Sequence, residues 1–342
     1  MLKTAIVGAS GYGGGELIRF LDAHPEFDPV HLIAHSKAGQ ALGAVHPHLA
    51  GGDRMLEVLD IDALADCDAV FLALPHGASS EPAMRLEDTD VRIFDLGSDF
   101  RMNTPERYLD AYGVPHPYPD QLGSWVYGLP ELFGGALPGA TRVAIPGCYP
   151  TSAILPLGPL VAAGLVSGSG VIVDSMSGVS GAGRNASDAL HYGVIDESVK
   201  AYKLLSHRHQ PEMEQALEAL GSAPASLIFT PHLVPMQRGI LSTVYAPVAE
   251  GVTADAIIDQ LADAYAGLAF VSVIDAPPET RWVVGSNNAI ISARVDERSG
   301  TALLLCAIDN LVKGAAGQAV QAANVSYGFP EDTGLPSTGF MP

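Results

Sequence analysis

Leu2-Lys3-Thr4-Ala5-Ile6-Val7-Gly8-Ala9-Ser10-Gly11-Tyr12-Gly13-Gly14-Gly15-Glu16-Leu17 opens the chain and decides its fold class. Leu2 to Val7 has the length and apolar content of a buried strand, the glycines make a turn, and the stretch from about Gly14 to Ala23 suits a helix. Glycine at 8, 11 and 14 lets the backbone turn tightly and approach a pyrophosphate, whose charge then meets the helix N-terminus. The next strand, Val30-His31-Leu32-Ile33-Ala34, runs into His35-Ser36-Lys37. An NAD-binding unit carries a ribose-binding carboxylate at about that place. A hydroxyl and an ammonium there, with no acid to repel a 2′-phosphate, predict NADP, with Ser36 and Lys37 as contacts.

Working outward, Ala69-Val70-Phe71-Leu72-Ala73-Leu74 ends in Pro75-His76-Gly77, and Val91-Arg92-Ile93-Phe94-Asp95-Leu96 ends in Gly97-Ser98-Asp99-Phe100-Arg101. Short apolar runs closed by turns read as buried parallel strands whose carboxyl ends carry ligand loops. Residues 102–140 read as irregular. Thr141 to Ile145 is a further strand, and beyond it the texture changes. Gly170–Met176, Ser226–Thr230, Ile240–Pro247 and Asn288–Val295 are more polar strands, as in a mixed, largely antiparallel sheet with one exposed face. The reading is α/β: a Rossmann-type parallel-sheet domain over 1–147 with 308–342, and an α+β domain over 148–307. The segment from Asp309 reads as a helix start that packs back on the first domain.

Between the two lies Ile145-Pro146-Gly147-Cys148-Tyr149-Pro150-Thr151-Ser152. Pro150 suits a first helical turn, and the apolar run Ala153–Val161 reads as the helix, kinked or shortened by Pro156 and Pro159. A thiol at such a helix start faces unpaired N–H groups and the positive end of the dipole, which favour thiolate. A small buried hydrophobe is the alternative for a lone cysteine. Cys67 and Cys306 lie in strand-like runs and read as packing residues. A thiolate nucleophile needs a proton-transfer partner, and His207 and His209 precede a helix that Pro211 begins. Which of the two faces Cys148 is left open by the sequence. His-x-His without further ligands does not make a metal site.

Composition bounds the rest. A chain of 342 residues calls for two domains, and 48% hydrophobic residues with 37 glycines fit a globular α/β enzyme. A net charge of −20 speaks against nucleic acid. If the ligands are anions, cations must cluster near the site, and Lys37, Arg101, Arg184, Arg208, Arg238 and Lys313 stand beside glycine-rich or histidine-rich turns. The small residues of Ser177–Gly183 before Arg184 leave amides open for a phosphate or carboxylate. No apolar run suggests a membrane span and no signal-like segment opens the chain, so a cytoplasmic location is expected. An odd three cysteines indicate no disulfide framework.

Taken in order, Gly8 to Gly14, Leu72-Ala73-Leu74-Pro75-His76-Gly77, Asp95 to Arg101, Tyr127-Gly128-Leu129-Pro130-Glu131 and Pro146 to Thr151 resemble the N-acetyl-γ-glutamyl-phosphate reductase family. Ser180-Gly181-Ala182-Gly183-Arg184, His207-Arg208-His209, Pro211-Glu212, Gly285-Ser286-Asn287 and Asp309 to Gly314 extend the resemblance over nearly the whole chain. It implies a Rossmann domain with a catalytic and dimerisation domain, NADP, a homotetramer and a role in arginine biosynthesis, with Cys148 as the active-site cysteine. With it, cofactor contacts are expected at Gly8, Ser10, Gly11, Tyr12, Gly13, Gly14, Ser36, Lys37, Pro75, Gly178, Ser180, Gly181 and Asn310. Substrate contacts are expected at Arg101, Arg184 and Arg208. The chemistry implied is NADPH-dependent reduction of a small-molecule acyl phosphate through a cysteine thioester. Two other readings are another acyl-phosphate reductase, such as aspartate-semialdehyde dehydrogenase, and a nonenzymatic NADP sensor, which has no use for an activated thiol.

Overall fold

A computed structural model describes residues 1–341 as two compact units, 1–105 with 116–146 and 315–335, and 106–115 with 147–314 and 336–341. Among the described residues no helix is long and apolar enough to cross a membrane.

The first unit is a six-stranded sheet in the order β2-β1-β3-β4-β6-β5, with every pairing parallel. Its strands are β1 (Leu2–Val7), β2 (Phe27–Ile33), β3 (Ala69–Leu72), β4 (Arg92–Asp95), β5 (Val126–Tyr127) and β6 (Arg142–Ala144). β3 is buried at all its positions, which is why it reads as continuously apolar rather than alternating. The helix after the glycine turn spans Tyr12–Leu21, starting two residues earlier than its sequence suggests. Gly8 has φ +95, and a Cβ there would lie 2.2 Å from the Ala73 carbonyl oxygen, so only glycine lets β1 turn beside the end of β3. The closing helix Gly317–Tyr327 belongs to this unit. Gln318 Nε2 donates to Gly128 O at 3.0 Å, and Asn324 Oδ1 pairs with His24 Nε2 at 3.0 Å.

The second unit holds a seven-stranded mixed sheet in the order β11-β12-β13-β10-β7-β9-β8. The strands are β7 (Ser169–Ser177), β8 (Lys200–Ala201), β9 (Ser226–Leu233), β10 (Ile240–Pro247), β11 (Val271–Val273), β12 (Ala289–Asp296) and β13 (Thr301–Ile308). Pairings β7/β9 and β11/β12 are parallel and the others antiparallel, as the polar alternation of the sequence suggests. Ile172, Met176, Ile228 and Tyr245 stay exposed on these strands.

Pro156 and Pro159 do not break the helix that follows the cysteine turn, which runs unbroken over Cys148–Ala162. Pro159 has no N–H for the carbonyl of Leu155, and the Tyr265 hydroxyl donates to that carbonyl instead. Near-complete burial of the helix supplies the rest of its stability.

The division differs from 1–147 with 308–342 at both ends of the last segment. Residues up to Gly314 and from Pro336 onward cluster with the second unit, as does 106–115. The cause is a set of long-range bonds that no local pattern encodes. Asp309 binds Arg238 and Gly285, Asn287 N donates to Pro336 O at 2.8 Å, and Arg107 pairs with Glu218.

Candidate active site

Cys148 is the first residue of its helix, half-buried, with Gly147 as the N-cap at φ −69, ψ 157. Thr151 ties the turn from below, its N–H and Oγ1 both reaching Gly147 O at 2.9 and 3.0 Å. Against the cysteine lies Gly314, where a Cβ would come within 2.7 Å of Cys148 Cβ. This glycine sits in a one-turn π-helix, Val312–Ala316, a rare geometry that recurs at functional sites. Asp309 organises the approach to that turn. Its Oδ1 accepts the N–H groups of Leu311 and Val312 at 2.8 and 3.2 Å, while Oδ2 accepts Gly285 N at 2.7 Å and meets Arg238 Nε at 3.0 Å. Nothing in the local sequence marks Gly314 as a neighbour of Cys148, so sequence reasoning passed over it.

The two histidines lie at the start of the helix His209–Gly221 and differ in their surroundings. Their ring centroids are 4.7 Å apart, and those of Tyr149 lie 5.6 Å from His207 and 5.8 Å from His209. His207 Nδ1 accepts the backbone N–H of His209 at 3.1 Å, which fixes the ring's proton on Nε2. Burial, reinforced by the cations Lys203 and Arg208, depresses His207 to about 3, so the ring stays neutral at ordinary pH. Tyr149, from the cysteine turn, and Tyr202, which no sequence motif singles out, join hydroxyls at 2.9 Å. Burial pushes Tyr202 up to about 12 and Tyr149 further still, with the nearby Cys148 charge adding to both, so the two phenols remain protonated donors.

Of the anion candidates, Arg101 is buried in the first unit, donating from Nε to Ile145 O at 2.8 Å and from Nη2 to Leu96 O at 2.9 Å. Arg208 is half-buried beside His209, and Arg184 is exposed after Gly183. Arg238 is paired with Asp309. Gly178, Ser180, Gly181 and Asn310 form one cluster in the second unit. Asn310 Oδ1 accepts Gly239 N at 2.8 Å and its Nδ2 donates to Ser180 Oγ at 2.9 Å.

The glycine turn of the first unit fits a dinucleotide. Helix Tyr12–Leu21 begins at Gly11 with no side-chain cap, a Cβ on Gly14 would lie 2.3 Å from Gly8 O, and a Cβ on Gly13 would enter open space. A helix start that no side chain caps, approached over bare glycine backbone, suits a pyrophosphate. Ser36 and Lys37 are exposed just beyond β2, and Pro75 is exposed beyond β3. Beneath Pro75, Asp99 accepts N–H groups from Gly77, Ser79 and Ser80 at 2.7 to 3.1 Å, and His76 Nδ1 meets Ser98 Oγ at 2.8 Å. Burial raises Asp95 to about 7, with Asp99 adding to it. In Asp99 burial is outweighed by hydrogen bonds from His76, Gly77 and Ser80, which hold it at about 2. Among the described residues no group of three or more His, Cys, Asp or Glu is placed to hold a metal ion.

Comparison with known proteins gives two domain families. Residues 3–139 match the semialdehyde dehydrogenase NAD-binding domain, and residues 148–310 match the semialdehyde dehydrogenase dimerisation domain. An N-acetyl-gamma-glutamyl-phosphate reductase of Heliobacterium modesticaldum is 45% identical over the whole of both chains. One of Salinispora arenicola is 47% identical over 100% of this chain and 99% of its own. Among solved structures, aspartate semialdehyde dehydrogenase II of Vibrio cholerae complexed with ASA shares the fold at TM-score 0.71 and 17% identity, covering 95% of this chain and 98% of its own. The aspartate semialdehyde dehydrogenase with NADP from Candida albicans does so at TM-score 0.67 and 16% identity, with the same coverages.

Proposed function

Because the chain belongs to the N-acetyl-γ-glutamyl-phosphate reductases of the semialdehyde dehydrogenase family, we propose that it reduces its acyl phosphate through a thioester on Cys148. It is an NAD(P)-binding oxidoreductase of arginine biosynthesis, converting N-acetyl-L-glutamyl 5-phosphate to N-acetyl-L-glutamate 5-semialdehyde. The observation that carries the thioester route is the placement of Cys148 at the first position of a buried helix, packed against Gly314, with two imidazoles around the adjoining Tyr149.

Cys148 Sγ bonds to the acyl carbon as the carbon–phosphate oxygen bond breaks, and phosphate leaves with the electron pair. Reduced NADP, when bound, supplies the hydride that takes the acyl carbon to the aldehyde level. His209 gives a proton to the thiohemiacetal oxygen and takes it back as the carbonyl re-forms and Cys148 departs as thiolate. His207, neutral and with Nδ1 engaged, holds the His209 backbone in place. Arg101, Arg184 and Arg208 are the proposed sources of positive charge for phosphate and carboxylate. The glycine turn, Ser36, Lys37, Pro75, Gly178, Ser180, Gly181 and Asn310 are the proposed cofactor contacts. A dimerisation-domain match supports a homo-oligomer, proposed to be a cytoplasmic homotetramer.

Substrate identity is tested by assaying phosphate-dependent oxidation of N-acetylglutamate semialdehyde and of aspartate semialdehyde side by side. A preference for the first of at least about 1000-fold in kcat/KM is expected, because a site that hydrogen-bonds an N-acetyl amide leaves polar groups unpaired with a substrate that carries a free ammonium there. Parity between the two overturns the assignment.

NADP preference has its own test. Ser36→Asp with Lys37→Ala places a carboxylate where a 2′-phosphate is expected and removes the ammonium, so the NADP/NAD ratio of kcat/KM should fall by about 100-fold. An unchanged ratio removes both residues from cofactor selection.

A further inference from the structure

We infer that Glu212 is a positioning residue that clamps the nucleophile's turn to the helix carrying His209, an inference that rests on reading Cys148 as the nucleophile. The side chain is fully buried, and Oε1 accepts the Gly147 N–H at 2.8 Å. Gly147 is the N-cap that directly precedes the nucleophile. As a glycine N-cap it has no side chain of its own with which to cap the helix or resist rotation. Thr151 restrains it only through its carbonyl, which leaves the amide side to Glu212. A small turn of the backbone at 147 swings the Cys148 sulfur on the next residue, and a displacement near 1 Å costs about 100-fold in rate.

The same carboxylate also sets the imidazole. Glu212 stands three residues after His209 in the helix His209–Gly221, so the two share a face. One contact therefore registers both reacting groups, the sulfur through Gly147 and the ring through its own helix. A buried carboxyl group is costly to place unless it is hydrogen-bonded, so the bond to Gly147 N is one the site has reason to keep. Glu214, two residues on, does a separate task, accepting Leu227 N at 3.0 Å toward β9.

Glu212→Gln keeps an oxygen acceptor in place, whereas Glu212→Ala removes it. Each is measured in the full chain for kcat, KM, melting temperature and the rate at which iodoacetamide alkylates Cys148. The alanine variant should lose about 100-fold in kcat with KM within about threefold, and alkylation should slow about tenfold in protein that is still folded. The glutamine variant should stay within about fivefold of wild type in both. A lower melting temperature with unaltered alkylation and kcat in the alanine variant overturns the inference, as does a glutamine variant as impaired as alanine. If Glu212→Ala does not fold, a folded Glu212→Gln protein with a large loss of kcat still overturns it. Should the wild type lack acyl-phosphate reductase activity, the thioester reading fails separately, because alkylation reports the clamp without turnover.

Discussion

Cys148→Ser is expected to lose phosphate-dependent oxidation of N-acetylglutamate semialdehyde by at least about 10⁴-fold while still binding NADPH. The substitution is conservative in every respect except the reacting atom. Serine keeps the Cβ, so the packing against Gly314, where a Cβ would lie 2.7 Å from Cys148 Cβ, is undisturbed. Helix-start N–H groups do not bring an alcohol near ionisation at neutral pH, so the acyl carbon meets no competent nucleophile. The glycines of the turn at Gly8–Gly14, proposed to seat the pyrophosphate, lie in the other unit and keep their geometry, so a fluorescence titration with NADPH should be unchanged. The remaining thiols offer no substitute. Burial drives Cys67 up to about 11, and fully buried Cys306 higher still. Alkylation of the wild type should accordingly label one thiol at neutral pH and abolish activity in step. Turnover within about tenfold of wild type in Cys148→Ser ends the covalent mechanism.

The glycine turn and the cysteine turn were legible because their signals are local. A positive φ at Gly8 demands glycine whatever lies around it, and a Gly-Cys-Tyr-Pro turn before an apolar run announces a helix start. Alternation in β10, buried and half-exposed by turns, likewise shows in the residues themselves. Groups that act at a distance were not legible. Gly314 meets Cys148 across 166 positions of chain and Glu212 meets Gly147 across 65, and no spacing rule joins them. Pro159 misled for the same reason, since the Tyr265 hydroxyl that replaces its missing bond comes from a distant helix. Helical pattern groups residues 308–314 with the closing helix, whereas the bonds of Asp309 and Asn310 hold them to Arg238, Gly239 and Ser180.

The histidine pair, which sequence alone left undivided, should separate under substitution by asparagine. His209→Asn is expected to lower kcat by about 1000-fold, within the range for removal of a general acid, with KM little changed. His207→Asn should lower kcat by less than about tenfold. The asymmetry follows from one hydrogen bond. His207 Nδ1 accepts the His209 backbone N–H at 3.1 Å, and the Oδ1 of asparagine stands near enough to that nitrogen's place to accept the same bond. A ring held neutral down to about 3 by burial and by the cations Lys203 and Arg208 takes up no second proton near neutral pH, so what it contributes at Nδ1 is its acceptor. Arg208 and Lys203 thus reinforce the division of labour: positive charge that can serve an anionic substrate also keeps the neighbouring imidazole from titrating. Losses of equal size in the two variants, or a larger loss in His207→Asn, would reverse the roles and make the neutral ring the proton carrier.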